Sequence, residues 1–77
     1  MQKNYWLINC SHTPESLDRI MMPFRKRGML IESLTYEKVD DKTAKCKVRF
    51  EEDEVNTNRI YKNLIRLEDI NTIEILG

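Results

Sequence analysis

The pattern of hydrophobic and polar positions predicts strands in four segments of the chain and helices in two. Residues 4–10 predict the first strand, because alternate side chains of a strand point to opposite faces of a sheet. The two alternating sets are Trp6, Ile8 and Cys10, and Tyr5, Leu7 and Asn9. Since both sets contain apolar residues, this pattern indicates a central strand, or a strand whose outer face a partner covers.

A helix is predicted next, with one buried face at the spacing i, i+3, i+4, i+7. Thr13 has the side chain of a good N-cap, and Pro14 suits the first helical position. Gly28 supplies the left-handed residue that ends the helix. Pro23 lacks the N–H of a helix interior, so we expect a kink or a loosened last turn. The buried face would consist of Leu17, Ile20, Met21 and Phe24.

Two further strands, a second helix and a last strand complete the pattern. The strands are predicted at about 29–38, at 44–50 and at 70–76, with a polar turn at 39–43. Asp53 is the expected N-cap of the second helix, whose start is rich in acids. The inward residues would be Ala44, Cys46, Val48 and Phe50 on the third strand, Ile60, Leu64 and Leu67 on the helix, flanked by Tyr61 and Ile65, and Ile73 and Ile75 on the last strand.

This order of elements predicts a single α+β domain over residues 1–77. The order β-α-β-β-α-β is that of ferredoxin-like sandwiches, in which both helices cover one face of a four-stranded antiparallel sheet. The first and third strands become central, and the second and fourth become edges. The open face would carry Tyr5, Leu7, Asn9, Lys45, Lys47 and Arg49 along its middle.

Composition narrows the class of partner. The 77 residues contain 13 basic and 13 acidic side chains, so the chain lacks the positive excess that drives binding to nucleic acids or anionic membranes. The start of the chain does not have the pattern of a signal peptide, and no apolar stretch has the length of a membrane span. We therefore expect a cytoplasmic protein that binds neither membranes nor nucleic acid.

Candidate chemistry is sparse. His12 lies close to Cys10 in the sequence, but a structural metal site needs about four ligands and no second cluster is present. The acids 51–54 are explained by a solvated helix start. Cys10 and Cys46 lack a C-x-x-C partner, so we expect two buried thiols, with a disulfide possible only between neighbouring strands. We predict no catalytic residue and no metal site.

An RNA-binding function for the open sheet face has weak support from the third strand. RNA-recognition domains of this topology carry glycine and stacking aromatic residues there. This chain has A-K-C-K-V-R-F at residues 44–50, with charged groups outward and Phe50 inward. The basic end of the first helix, Arg25–Arg27, has two interpretations. It complements the helix dipole, or it grips an acidic partner surface.

Two segments carry a resemblance to a known family. Phe24-Arg25-Lys26-Arg27-Gly28-Met29-Leu30-Ile31-Glu32-Ser33-Leu34 is similar to F-x-x-R-G-Y/F-N/H-I-E-S-L, and residues 66–77 are similar to an ending K-L-x-D-V-x-x-V. Both patterns are found in the ACT domain of acetohydroxyacid synthase (acetolactate synthase) small subunits. The chain resembles the short, isozyme II-like type in length and order.

This resemblance implies a non-catalytic regulatory and activating subunit of branched-chain amino acid biosynthesis. Such a subunit dimerises and binds the large catalytic subunit, which holds thiamine diphosphate, magnesium and FAD. Family members that sense valine bind it at the dimer seam. The implied ligand-binding residues are His12, Thr13, Glu15, Ser16, Leu17, Leu30 and Ile31. The implied dimer or partner interface consists of Phe24, Arg27, Gly28, Met29 and Ile31.

The sequence departs from the valine-sensing pattern at each position that would hold the amino acid. The family's N-x-P-G loop is His12-Thr13-Pro14-Glu15 here, and the asparagine of the following strand is Leu30. Glu15 places a negative charge where backbone N–H groups would approach a carboxylate, and Leu30 cannot form hydrogen bonds to an amino acid through its side chain. We expect weak or absent valine feedback. The alternatives are a stand-alone ACT sensor of another small molecule, bound through His12 and Ser16, and the RNA-binding domain.

Overall fold

Six elements follow one another in the predicted order. The computed structural model describes all 77 residues. The elements are β1 (Gln2–Ser11), α1 (Ser16–Lys26), β2 (Ile31–Lys38), β3 (Thr43–Glu52), α2 (Glu54–Ile65) and β4 (Ile70–Ile75).

The four strands form one antiparallel sheet in the order β2-β3-β1-β4. The prediction of central first and third strands is therefore confirmed. Both central strands are longer than the sequence indicated, because their pairing runs without interruption from Gln2 opposite Glu52 to Ser11 opposite Thr43. Polar residues at the strand ends thus remain in the ladder. Cross-strand hydrogen bonds hold them there although their side chains favour turns.

The core lies between the inward face of the sheet and the two helices. Three aromatic rings form its centre, where Phe50 meets Trp6 at 4.9 Å and Phe24 at 5.1 Å between ring centroids, both edge to face. Edge-to-face pairs of this kind contribute about 0.5–1.5 kcal/mol beyond the area they bury. The buried hydrophobic residues are Trp6, Ile8, Cys10, Ile20, Phe24, Ala44, Cys46, Val48, Phe50, Ile60, Leu64 and Ile70.

Helix α1 begins later than predicted. It starts at Ser16, its N-cap is Glu15 without a side-chain cap, and its first helical bond runs from Arg19 N to Glu15 O at 2.9 Å. The prediction of Thr13 as N-cap and Pro14 as the first helical residue is wrong, because Ser16 and not Thr13 organises this turn. The buried positions of α1 are Ser16, Ile20 and Phe24, while Leu17 and Met21 are half-buried.

The end of α1 confirms the prediction for Gly28. Its φ is +66°, its N–H donates to Arg25 O at 3.1 Å, and the N–H of Met29 donates to Phe24 O at 2.9 Å. This pair of bonds is a Schellman motif, in which a left-handed glycine satisfies the last carbonyls of a helix. The helix runs through Pro23 to Lys26, so the proline does not end it.

The predicted start of the second strand is wrong by two residues. Met29 and Leu30 belong to no element, and β2 begins at Ile31. The reason is that the N–H of Met29 closes the helix and is not available to the sheet. Within β2 the pairing shifts between Ile31 and Ser33, so that Glu32 is the extra residue of a bulge.

Helix α2 starts as predicted, since Asp53 accepts a hydrogen bond from Asn56 N at 2.7 Å as its N-cap. Ile60 and Leu64 are buried, whereas Leu67 lies beyond the helix and is half-buried. The inward prediction is wrong for Ile75, which is 67% exposed although it lies opposite the buried Trp6. As β4 is an edge strand, its end extends past the helical cover.

Candidate functional site

The loop between β1 and α1 is organised by the hydroxyl of Ser16, a buried residue. Its Oγ donates to the carbonyl of Ser11 and accepts from the N–H of Thr13 at 3.0 Å. The hydroxyl of Thr13 lies 2.8 Å from the same oxygen. Because the Ser16 proton is given to Ser11, Thr13 is the donor in this second contact. Thr13 and Ser16, two of the predicted ligand residues, are thus hydrogen-bonded to each other, and Ser16 is also hydrogen-bonded to Ser11.

His12 is fixed from two sides. Its backbone N–H donates to Lys42 O at 2.8 Å, and its ring Nδ1 lies 2.9 Å from the hydroxyl oxygen of Tyr36 on β2. Burial raises the pKa of the Tyr36 hydroxyl above its usual value, so the tyrosine stays neutral at physiological pH. Tyr36 was not among the predicted site residues. The only sequence signal for Tyr36 is its position two residues after Leu34, because alternate residues of a strand lie on one face and Leu34 faces the core.

The hydroxyls of Thr13 and Ser16 and the Nδ1 of His12 therefore have partners within the chain. No buried side-chain nitrogen or oxygen anywhere in the structure lacks a hydrogen-bond partner. Of the remaining predicted residues at this end of α1, Glu15 is exposed and Leu17 is half-buried. The loop offers a carboxylate at its surface, and its buried side-chain polar atoms are already paired.

The other predicted ligand residues lie at the opposite end of α1. Leu30 and Ile31 follow the glycine turn, and Leu30 is 85% exposed. The 11 residues of α1 span about 16 Å at 1.5 Å per residue. One chain thus separates the two groups by the length of a helix, and a ligand of amino-acid size cannot touch both groups within a single copy.

The predicted interface residues differ in how far they reach the surface. Phe24 is fully buried in the core, so any contribution it makes to an interface is through the shape of the helix end. Gly28 and Arg27 are exposed, and Met29 and Ile31 are half-buried. With its amide oriented to satisfy both partners, Asn63 on α2 accepts from the Arg27 guanidinium at 2.9 and 3.2 Å. This contact holds the end of α1 against α2.

The two cysteines are buried and free. They lie on neighbouring strands, but Cys10 is opposite Ala44 and Cys46 is opposite Ile8, so the two thiols are diagonal neighbours. Diagonal positions are about 7–8 Å apart, whereas a disulfide needs its Cβ atoms within about 4.5 Å. Burial raises the pKa of Cys46 to about 12 and also raises that of Cys10. No group of three or more His, Cys, Asp or Glu side chains converges in a metal-like cluster.

The open sheet face carries the predicted residues but is mostly polar. Tyr5, Leu7 and Asn9 are half-buried along its middle, and the guanidinium of Arg49 lies 3.8 Å from the centre of the Tyr5 ring. This cation–π contact occupies a ring face that a nucleic-acid base would need for stacking. The arrangement therefore does not favour the RNA-binding alternative.

Comparison with known proteins adds to this geometry only at the level of structure. No family model and no curated protein matches the sequence. The acetolactate synthase small subunit from Thermotoga maritima superposes with a TM-score of 0.82 over 97% of this chain at 16% identity. The ACT domain of GTP pyrophosphokinase from Chlorobium tepidum superposes with a TM-score of 0.80 at 15% identity, covering 96% of each chain. This chain has the ACT fold.

Structural neighbours with other names have a similar fold. The C-terminal domain of the MgtC protein from Mycobacterium tuberculosis has a TM-score of 0.72 at 9% identity over 97% of this chain and 85% of its own. The chain spans 47% of the Thermotoga subunit, about half of its length. No helix of this ACT fold combines the length and the apolar character needed to cross a lipid bilayer. The predictions for individual ligand and interface residues stay predictions.

Proposed function

We propose that this chain is a non-catalytic ACT subunit that pairs with a second copy and activates the catalytic subunit of acetohydroxyacid synthase. The catalytic subunit would carry thiamine diphosphate, magnesium and FAD, and this chain would carry no cofactor. Two independent observations support the proposal. Residues 24–34 resemble the small-subunit pattern, and an acetolactate synthase small subunit is among the structural neighbours.

The conformation of residues 24–34 is the observation that carries the proposal. Two of the matching residues have a clear physical task, because Phe24 fills the core and Gly28 provides the left-handed turn. Leu30, which departs from the pattern, is left at the surface. The segment thus places an exposed apolar residue immediately before a free sheet edge. An exposed edge of this kind is a natural place for a second chain to add.

Weak or absent valine feedback is proposed from two residues, Glu15 and Leu30, one at each end of α1. Glu15 is exposed beside the start of α1, so its negative charge would repel the carboxylate of an amino acid that approaches the N–H groups there. Leu30 offers no hydrogen bond at the other end of the helix. An effector held between the two helix ends of two copies would meet one repulsive and one inert residue. We therefore propose activation without effective valine inhibition.

The deciding experiment is acetolactate formation by the cognate catalytic subunit, with and without this chain, while valine is titrated. We expect a higher rate in the presence of the chain and a flat valine curve. The double variant Glu15→Gly with Leu30→Asn should make the rate valine-sensitive, with Val39→Asn, another exposed apolar position, as the matched control. No increase in rate together with no co-elution of the two chains would refute the proposal.

A stand-alone sensor is the second candidate, and its predicted recognition groups are already engaged. Ser16 is bound to Ser11 and Thr13, and the Nδ1 of His12 is bound to Tyr36. A metabolite would have to break these bonds to use the same atoms, which costs desolvation of buried polar groups. Dose-dependent thermal stabilisation by one metabolite, without any catalytic partner, would favour the sensor. Salt-sensitive oligonucleotide binding that is lost in Tyr5→Ala would favour RNA.

A further inference from the structure

A groove of about 530 Å³ lies between α1 and the end of α2. Its hydrophobic lining residues include Met22 on α1, which is 42% exposed. The residues that line it are Arg19, Met22, Pro23, Lys26, Arg27, Asn63 and Leu67. We name it the interhelical groove.

The interhelical groove concentrates positive charge in a chain that has none in excess. Three of its lining residues are cations and none is an acid. Arg19 forms an ion pair with Asp69. No carboxylate lies within 4.0 Å of Lys26 or Arg27, and Arg27 contacts only the neutral amide of Asn63. The balanced composition of the whole chain therefore conceals a local excess of positive charge.

The helix dipole does not account for this arrangement. It favours cations in the last turn, which covers Lys26, and its effect falls off within one turn. Arg19 lies in the first half of α1, where the dipole gives a cation no advantage. Both cations nevertheless face the same groove, because residues seven apart lie on one side of a helix. Arg19 already has Asp69 as a partner within the chain, whereas Lys26 has no carboxylate within 4.0 Å. Lys26 is therefore the cation of this stripe that is left for a negative partner.

The spacing along α1 specifies the shape of that negative partner. Arg19, Met22, Pro23 and Lys26 follow one another at i, i+3, i+4 and i+7, so one stripe of α1 has a cation at each end and two apolar groups between them. A helix packed alongside would match it with acidic residues seven apart and apolar residues between them. Leu67 supplies a further apolar wall from the α2 side.

We propose that the interhelical groove docks an acidic amphipathic helix of a partner protein. Charge complementarity and the apolar middle together select this occupant. Arg19 and Lys26 lie about 10 Å apart along the helix, so one phosphate cannot bridge them. No aromatic residue lines the groove, so a nucleic-acid base has no stacking platform. The inference does not depend on which enzyme the partner belongs to.

A peptide titration of the isotope-labelled chain, followed by amide chemical shifts, tests the proposal. The probe is an 18-residue helical peptide of alanine and glutamine with two glutamates seven residues apart and two leucines between them. We expect saturable shifts at Met22, Lys26, Asn63 and Leu67. Lys26→Glu replaces an attraction by a repulsion and should weaken binding about fivefold. Lys62→Glu, a change of the same charge on α2 outside the groove, should leave the affinity unchanged.

Four outcomes would overturn the proposal. The first is the absence of saturable shifts, and the second is an equal loss of affinity in Lys26→Glu and Lys62→Glu. The third is equal affinity for a peptide with glutamine in place of both glutamates, which would remove the role of charge. The fourth is an identical shift pattern with sodium sulfate at matched ionic strength, which would reduce the groove to a small-anion site. A Met22→Ser variant should also weaken the peptide, because the apolar middle is part of the recognition.

Discussion

The two cysteines in the core of this ACT fold are buried, and their burial lowers the reactivity of their thiols. Cys46 is fully buried between the sheet and the helices, and the pKa of its thiol rises to about 12 because burial disfavours the thiolate. Burial also raises the pKa of the Cys10 thiol. Since the thiolate is the reactive form of cysteine, neither thiol should react while the chain is folded.

The first prediction concerns the reactivity of these thiols. At pH 8 the native chain should resist iodoacetamide, and both Cys10 and Cys46 should be modified once urea unfolds it. Mass spectrometry at increasing urea concentration would record the change, with tryptophan fluorescence of the buried Trp6 as the reference for unfolding. Complete modification well before the fluorescence transition would contradict the burial of the two thiols.

The same burial implies a loss of stability at alkaline pH. The pKa of Cys46 is raised from 9.0 to about 12, so the thiol is protonated in both states below pH 9 and its contribution is fully present there. Above pH 9 the unfolded chain loses the proton first, and the free energy of unfolding falls by at most about 1.4 kcal/mol per pH unit from this group until pH 12. Cys46→Ala should show a flatter alkaline slope than the parent chain.

At the scale of elements, the kinds of element and their order could be predicted from the sequence. Period-2 alternation identified the strands, and the i, i+3, i+4 pattern identified both helices. Asp53 and Gly28 could be predicted as helix ends because each depends only on residues close to it in the sequence. Asp53 accepts from the N–H of Asn56, and Gly28 adopts the left-handed conformation. The start of α1 was predicted wrongly, since the hydroxyl of Ser16 reaches back to Ser11 and this competes with a cap at Thr13.

The candidate site was less predictable than the fold. His12, Thr13 and Ser16 share one loop because they are close in the sequence. The contact of His12 with Tyr36 joins residues 24 positions apart, and only the packed sheet brings them together. The interhelical groove has the same origin, because Asn63 and Leu67 reach α1 only after both helices have packed on the sheet.

The second prediction of stability concerns the glycine turn after α1. Gly28→Ala should destabilise the chain by about 1–2 kcal/mol, because an L-residue is strained at positive φ. No atom lies within 4 Å of the position that the added Cβ would take, so the cost comes from the backbone and not from a clash. Gly28→Asn should cost less, since asparagine tolerates the left-handed region. Urea unfolding of both variants would measure the difference, and equal stability of Ala and Gly would contradict it.

At the scale of the whole molecule, the proposed pairing of two copies would use the free edge of β2 and the residues before it as its seam. Leu30 is the most exposed apolar residue of the chain, at 85%, and it lies directly before the edge strand. In a single copy, replacing Leu30 by aspartate would remove few contacts, because the side chain is mostly exposed. In a dimer paired at this seam it would bury a charge, which is costly without a partner.

The last prediction follows from this contrast. Leu30→Asp should yield monomers by sedimentation velocity while its free energy of unfolding as a monomer stays close to that of the parent chain. Ile31→Asp should also yield monomers, with some loss of stability because Ile31 packs against the core. Val39→Asp, at an exposed position in the β2–β3 hairpin, should remain dimeric. Unchanged dimers in both seam variants would exclude this surface.

The length of α1 has a consequence for any effector that needs both of its ends. The two groups of residues are about 16 Å apart in one copy, so such an effector must bridge two copies and its binding is linked to their association. Its apparent dissociation constant would then rise as the protein is diluted, because each bound molecule requires a pair. A module of this design would report on its own abundance together with that of its effector.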